Sequence, residues 1–368
     1  MRIGIDARQL CGRQTGVGQY LAGLIHEWAA SRESRATKHE FVLYLPEPAD
    51  ATAGLDARRF MTRLVPGSGG TFWEQVQLPR AAAADHLDVF FAPQYSAPLA
   101  LRTPTVVAIH DVSFAAHPEW YRMREGARLR WLSRQSAANA RTVITISEFS
   151  RREIVELLGV PDGRIRVIPP GIPDRGTPGA PKATSGGREP RVLFVGSIFN
   201  RRHVVDLIHA FAAVARQHPA ASLDLAGDNR SFPREDVGAA IAAAEAGGRI
   251  RWHRYVSDGQ LADLYRRARA FAFLSEYEGL GLTPLEALAA GVPPVLFDTP
   301  VAHESCGAAA LYVERGRSKP IVRAIEQLLF DEPTRTRLLS AAPDALARYS
   351  WPVAGRDTLA AIEQSARM

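Results

Sequence analysis

The amino-acid sequence predicts an α/β architecture of two doubly wound parallel-sheet domains, and three observations carry that prediction. Apolar runs of strand length alternate with amphipathic helical stretches through both halves, the pattern of parallel strands joined by covering helices. The chain of 368 residues exceeds what one hydrophobic core usually serves. Between the halves lies PDRGTPGAPKATSGGREP, residues 173–190, where glycine, proline and polar side chains exclude a packed core. The expected boundaries are 1–172 for the first domain, 173–190 for a linker and 191–350 for the second domain, with a helical run at 351–368 following Tyr349-Ser-Trp-Pro352. Two such domains are expected to face each other across a cleft at the carboxyl ends of their strands, where ligands of open α/β sheets bind.

Taken in order, the expected strands of the first half are 2–5 (RIGI), 40–45 (EFVLYL), 88–92 (DVFFA), 105–109 (TVVAI) and 143–146 (VITI). Each is short, rich in β-branched or aromatic residues and bounded by polar or turn residues. The second half repeats the scheme at 191–195 (RVLFV), 222–226 (SLDLA), 250–253 (IRWH), 270–274 (AFAFL) and 294–297 (PVLF). Helical periodicity fills the intervals, as at 204–215.

Composition excludes several classes. With 46% hydrophobic and 23% charged residues the chain is ordinarily globular, and no apolar run approaches the roughly 18 residues of a membrane span. The opening MRIGIDARQL alternates like a strand rather than reading as a charged region followed by an apolar one, so no secretory leader is expected. Cys11 and Cys306 cannot build a disulfide framework or a metal cluster, and fit a reducing cytoplasm. The net charge of +6 rests on arginine, since lysine occurs only at Lys38, Lys182 and Lys319. It suggests an anionic partner, but no zinc-finger, helix-turn-helix or RNA-binding signature accompanies it, so nucleic acid is not expected.

The most informative stretch is EGLGLTPLEALAAG, from Glu278 to Gly291. It follows the expected strand 270–274 with a glycine turn (Gly279, Leu280, Gly281, Leu282) and a helix start. Thr283 is the expected N-cap, Pro284 the first helical residue and Gly291 the stop. Thr283-Pro-Leu-Glu286 also has the form of a capping box, in which Glu286 reaches back to the cap N–H. Backbone N–H groups at a helix start bind anions, and carboxylates accept hydrogen bonds from hydroxyls. Phosphate plus hydroxyls describes a nucleotide sugar. Glu278 precedes the cap and has no capping use; the alternative for it is a solvated carboxylate.

Four further places carry polar groups where strands leave the sheets. Gly196 and Ser197 follow the strand at 191–195 and lead to Arg201, Arg202 and His203, paired basic groups at a strand end. Gly16 and Gly18, in Thr15-Gly-Val-Gly-Gln-Tyr20, open a helix after the first strand but lack the third glycine of a dinucleotide fingerprint, so a nicotinamide cofactor is not supported. His110-Asp111 ends the strand at 105–109, where the histidine reads either as a functional group or as a buried, hydrogen-bonded one. Glu148 stands at a strand-to-helix turn and is expected to stabilise the helix start. Residues 120–141 carry arginines at 122, 124, 128, 130, 134 and 141 among Trp120, Tyr121 and Trp131. That is either a basic amphipathic helix for an anionic membrane or a solvated arginine face over a core-packed aromatic stripe.

Across nearly its whole length the chain resembles the family-4 retaining glycosyltransferases of the GT-B fold. Their hallmark is two glutamates with seven residues between them, here Ser275-Glu-Tyr-Glu278-Gly-Leu-Gly-Leu-Thr-Pro-Leu-Glu286. The resemblance implies that Glu278 holds the donor sugar hydroxyls and Glu286 the ribose hydroxyls. It puts Arg201 and Arg202 on the donor diphosphate, Arg202 replacing the family's lysine. It places His110 beside the reacting sugar to orient hydroxyls. The glycine turn at Gly16 and Gly18 resembles the family's as well, though Gln19 stands where arginine is common. The stretches Trp73-Glu-Gln-Val-Gln-Leu-Pro79 and Ala92-Pro-Gln-Tyr95 look like the family's acceptor half. By the same resemblance the terminal helix completes the first domain. Pro294, His303 and Ala308 depart from the family pattern.

The function so implied is transfer of a hexose, with retention, from a nucleotide diphosphate sugar to a sugar or lipid-linked saccharide hydroxyl in cell-surface polysaccharide or lipopolysaccharide synthesis. GDP-mannose is the first expected donor and a UDP-hexose the second. No Asp-x-Asp pair occurs, so neither a metal nor another cofactor is expected, and the leaving charge falls to Arg201, Arg202 and the N–H groups of Gly279 to Thr283. Glu278 is either a sugar ligand in a front-face reaction or a covalent nucleophile. A nucleotide-sugar 2-epimerase and a non-catalytic sugar-nucleotide-binding protein are the competing classes. The expected location is the cytoplasm, with peripheral contact at the inner membrane face through residues 120–141.

Overall fold

The computed structural model describes residues 1–12, 16–31, 38–172 and 188–367. Thr15, Lys182, Met368 and most of the expected linker (173–187) lie outside the described residues. The chain divides into two compact units, Met1–Gly171 with Tyr349–Met368, and Ile172–Arg348.

The first unit holds a seven-stranded sheet of β1 (Arg2–Asp6), β2 (Glu40–Leu45), β3 (Phe60–Leu64), β4 (Val89–Ala92), β5 (Thr105–Ala108), β6 (Thr142–Thr145) and β7 (Ile165–Val167). Its order is β3-β2-β1-β4-β5-β6-β7, every pair parallel, with Ile3 opposite both Phe41 and Val89. The second unit holds β8 (Arg191–Val195), β9 (Ser222–Ala226), β10 (Ile250–His253), β11 (Ala270–Phe273), β12 (Pro294–Phe297) and β13 (Leu311–Val313) in the order β10-β9-β8-β11-β12-β13, again all parallel. Both sheets are thus doubly wound, with the order reversing between β1 and β4 and between β8 and β11.

The strands are apolar on both faces because both faces are covered. Along β2, Phe41, Leu43 and Leu45 point to one core and Val42 and Tyr44 to the other, the two-residue alternation of a strand. The first core includes Leu21, Leu24, Ile25 and Trp28 of α1 (Gly16–Ala30). Helical periodicity also turns Met123–Asn139 (α2) so that Leu129, Leu132 and Ala137 are buried. The remaining helices needed here are α3 (Glu148–Glu153), α4 (Val204–Gln217), α5 (Leu282–Ala289) and α6 (Trp351–Arg367). Helix α6 packs on α1 in the first unit: the Trp28 indole N–H donates to the Gly355 carbonyl at 2.9 Å, and His39 meets Glu363 at 2.8 Å.

Three strands escape the periodicity argument. Four of the five residues of β3 are exposed, while β7 and β13 have three residues each. All three lie at sheet edges, where one neighbour suffices and the apolar signal is weak.

Candidate active site

In the second unit the polar groups gather where the strand order reverses. Gly196 and Ser197 leave β8, Ser275 to Glu278 leave β11, and these strands are neighbours. The backbone turns sharply at Gly196 (φ 137°), followed by a short 3-10 turn, Asn200–Arg202. A side chain at Gly196 would meet Arg202 Nη1 at 2.6 Å, so the glycine makes room for the guanidinium.

Arg202 grips Glu278 with two hydrogen bonds, Nε to Oε1 at 2.7 Å and Nη2 to Oε2 at 3.1 Å, while its Nη1 donates to the Ser197 carbonyl at 2.9 Å. Three of its five N–H groups are engaged, leaving two. Its carbon lies 4.8 Å from the Phe273 ring centre, and Arg201 sits 4.4 Å from the Phe199 ring, contacts that favour a cation over an aromatic face. The Ser275 hydroxyl donates to Glu278 Oε1 at 2.9 Å. Burial alone would raise the Glu278 carboxyl. The charges of Arg202 and Arg201, with hydrogen bonds from Arg202 and Ser275, outweigh it and hold the group below the usual carboxylate range. Glu278 is therefore an anchored anion rather than the solvated carboxylate left open by the sequence.

One expectation is overturned. Helix α5 starts at Leu282, two residues early, and its cap is Gly281 in the left-handed region (φ 83°) with no side-chain cap bond. Thr283 is inside the first turn, so Thr283 and Glu286 form no capping box. Cap geometry requires an extended backbone, and glycine's freedom at position 281 moves the start. Glu286 is buried instead, 3.4 Å from the Tyr265 hydroxyl. Gly279, Leu280, Gly281, Leu282 and Thr283 form the turn and first residues of α5. Gly291, left-handed (φ 73°), follows the helix end as expected.

Three residues the motif reading assigned no role join this loop pair. Glu276 N–H donates to the Arg201 carbonyl at 2.9 Å, and the Glu276 carboxylate contacts Arg315 and stands 3.5 Å from His203 Nε2. His203 adopts a left-handed backbone (φ 46°) just before α4. Their sequence separation hides the grouping.

His110 and the glycine turn belong to the first unit. His110 follows β5, its Nε2 is 2.9 Å from the Pro93 carbonyl and its ring meets Tyr20 edge-on at 4.6 Å. A carbonyl only accepts, so Nε2 carries the proton and Nδ1 of the neutral ring is an acceptor. Burial lowers the His110 pKa below its ordinary value, favouring that neutral form. Gly16 and Gly18 lie within α1, and neither has a positive φ. At Glu148 the cap is Ser147, whose hydroxyl accepts from Ser150 N–H at 3.0 Å; Glu148 is the first helical residue and pairs with Arg151 at 3.3 Å.

The basic segment is also revised. Helix α2 covers 123–139, not 120–141. Trp120 stacks on His117 at 3.9 Å, and Trp131 is 57% exposed with Met123 at 85%, so Trp131 is no part of a core-packed stripe. Among the described residues no helix is long and apolar enough to cross a membrane.

Known proteins converge on this architecture. Residues 15–175 match the family described as Glycosyltransferase Family 4 and residues 180–344 the family described as Glycosyl transferases group 1. The O-antigen chain mannosyltransferase B of Escherichia coli is 25% identical over 92% of this chain and 93% of its own length. A GDP-mannose:cellobiosyl-diphosphopolyprenol alpha-mannosyltransferase of Xanthomonas oryzae is 28% identical over 69% of this chain and 66% of its own. Among solved structures, sucrose-phosphate synthase from Thermosynechococcus elongatus superimposes with a TM-score of 0.77 at 17% identity, covering 99% of this chain and 98% of its own. HepE from Anabaena, solved with UDP and glucose, gives 0.76 at 17% identity over 99% and 100%. With both families matched in sequence order and the two doubly wound sheets of the GT-B fold in place, the chain belongs to the glycosyltransferases of family 4 and group 1.

Proposed function

We propose that the chain transfers a hexose, mannose from GDP-mannose in the first instance, to a hydroxyl of a sugar or lipid-linked saccharide during cell-surface glycan synthesis, with retention at the anomeric carbon. The observation that carries this reading is the Arg202–Glu278 ion pair at the sheet reversal of the second unit, flanked by the start of α5. A diphosphate would take the two remaining N–H groups of Arg202, the charge of Arg201 and the backbone N–H groups opening α5. Glu278, held anionic, would accept from the hexose hydroxyls, and buried Glu286 from the ribose. Charge-assisted bonds contribute about 1.5–3 kcal/mol each, enough for several to support departure of the diphosphate without a metal clamp. The mannosyl donor is favoured over UDP-hexoses by the two mannosyltransferase relatives; the UDP complex of HepE keeps the second donor in play.

Retention fits a front-face reaction, in which the departing phosphate oxygen takes the acceptor proton. Glu278 is already doubly bonded by Arg202 and bonded by Ser275, which suits a ligand more than a nucleophile. Thermal shift against GDP-mannose and a panel of UDP-hexoses, followed by NMR of the product's anomeric signal, tests both points. Mass action raises the melting point for the true donor; no shift with any nucleotide sugar, or an inverted product, would refute the proposal.

The exposed Met123 and Trp131 of α2, with Arg124, Arg128 and Arg134 on the same helix, support peripheral binding to an anionic leaflet. Sedimentation with phosphatidylglycerol vesicles, but not with phosphatidylcholine ones, is the expected result, and equal sedimentation with both would count against it.

A further inference from the structure

The first unit has a cavity of about 230 Å³ at the amino ends of β5 and β6, the opposite end of the sheet from the turn that carries His110. Its wall is the segment 97–104 together with the last turn of α2. That wall is built rather than loose. Ala97 N–H donates to the Ser136 hydroxyl at 3.0 Å, Leu99 N–H donates to Gln75 Oε1 at 3.0 Å, and the Gln75 amide donates back to the Ala97 carbonyl at 3.1 Å. Pro98 and Pro104 stiffen the segment, and Arg141 N–H donates to the Thr105 carbonyl at 2.8 Å. Gln75 adjoins Glu74, whose carboxylate takes the Ser96 hydroxyl at 2.6 Å and Arg8 at 2.5 Å, Arg8 lying 2.9 Å from Asp6. The wall is therefore pinned from α2, from the segment 73–77 and from the ion cluster behind it.

The charge on that wall is one-sided. Arg102 and Arg141 both line the cavity and are exposed, Asn139 joins them, and no aspartate or glutamate is among the described residues that line it. Arg102 has neither a hydrogen bond nor an ion pair among the described residues. Carbonyls at the end of a helix repel an anion, but here Arg164 covers them: its Nη2 donates to the Ala137 and Ala138 carbonyls at 2.8 and 3.0 Å and also to that of Ala140. Two guanidiniums on one small cavity call for an oxyanion, which the planar fork of arginine grips with paired N–H bonds. A carboxylate or a phosphodiester carries a single charge, whereas a phosphate monoester carries about −1.5 to −2 at pH 7 and so matches both arginines. Pro98, Leu99 and Leu101 give the lining an apolar part, and the volume lies below the roughly 300–1,000 Å³ of drug-sized sites. The fitting ligand is small, with a compact body behind its phosphate.

We propose that this cavity binds a small soluble phosphate monoester, with Arg102 and Arg141 as its oxyanion contacts and Asn139 as a neutral donor. The site is separate from the donor site of the second unit. Binding here is measurable with no nucleotide sugar present, whatever donor the chain uses.

The test is isothermal titration calorimetry on the full chain at low ionic strength, with glucose 6-phosphate, glycerol 3-phosphate and inorganic phosphate as probes. At least one ester should bind more tightly than inorganic phosphate, and its affinity should fall as pH drops through about 6, where the ester takes up its second proton. Arg102→Gln and Arg141→Gln should each weaken it roughly tenfold or more, the scale of a lost charge-assisted bond; both side chains are exposed, so both variants should fold. Arg134→Gln, exposed on α2 outside the cavity, and Arg201→Gln in the donor site should leave the affinity unchanged. No ester binding tighter than inorganic phosphate, binding that survives both cavity variants, or an equal loss with Arg134→Gln or Arg201→Gln would overturn the proposal. The cavity variants should also sediment with phosphatidylglycerol vesicles to the same extent as wild type. A selective loss there would give the two arginines to a lipid headgroup and overturn the soluble ligand.

Discussion

Both units set their polar loops at the carboxyl end of a parallel sheet whose strand order reverses beside its first strand, yet the side chains gathered at the two reversals differ in kind. In the second unit a carboxylate is outnumbered by cations: Glu278 faces Arg202 directly and Arg201 nearby, and it is held below the usual carboxylate range. In the first, one arginine serves two carboxyl groups, and Asp6 is pushed up to about 6. The same reversal of strand order therefore carries opposite local charge balance. The sheet decides where a ligand meets the protein, and the residues just past each strand decide what kind of ligand that is. A cation-rich reversal suits a diphosphate.

The most disruptive way to test that contrast is at Glu278. Glu278→Gln keeps the shape but removes the charge that Arg202 and Ser275 hold in place, and the expected loss in turnover is about 10²–10³-fold, the scale for one preorganised electrostatic group. Steady-state rates with saturating donor check it. Activity within threefold of wild type would mean that the anion at this reversal is structural only. Glu278 also links stability to pH. Its folded-state pKa is depressed, so its contribution is present above the unfolded value and is lost as pH falls through the folded one.

A second comparison uses Asp6, for which the sign is opposite. Its pKa is raised from 3.8 to about 6. Below the unfolded value both states are protonated and there is no cost. As pH rises from about 4 to 6 the unfolded chain ionises first, and folding loses up to roughly 3 kcal/mol. Asp6→Asn removes that dependence, so the stability difference between variant and wild type should move in the variant's favour across this window. Urea denaturation at pH 4, 5, 6 and 7 measures it. A difference that stays flat would show that Arg8 pairs Asp6 well enough to cancel burial.

Much of this was legible in the residues. Ten strands and both sheets followed from apolar runs such as VFFA and AFAF, because a strand covered on both faces has no polar positions to confuse the pattern. Three of the four edge strands, β3, β7 and β13, did not; at β3 the run FMTRL is mostly exposed. The two-glutamate motif and the arginine pair sit on adjacent loops because β8 and β11 are neighbours, an adjacency that the motif could suggest but spacing could not prove. The ion cluster at the first reversal was hidden for the same reason: Arg8 and Glu74 lie 66 positions apart, and nothing local marks them as partners. A charged Asp6 closing the apolar strand RIGID was the one available signal, since a buried carboxyl needs a compensating cation.

The smallest predicted effect concerns the helix that completes the second reversal. A capping Thr283 would be worth about 1 kcal/mol, the ordinary cost of replacing a threonine cap by alanine. In the structure the cap is Gly281 and makes no side-chain cap bond, while Thr283 lies within the first turn of α5. Thr283→Ala should therefore change unfolding free energy by less than about 0.5 kcal/mol, as expected away from caps and cores, and alanine's better helix propensity offsets part of any lost contact. Gly281→Ala should cost more, because its left-handed φ of 83° strains any residue with a Cβ. Chemical denaturation of the two variants side by side measures both. If Thr283→Ala proves the more damaging, the turn closes differently from the geometry described, and the backbone N–H groups assigned to the diphosphate point elsewhere.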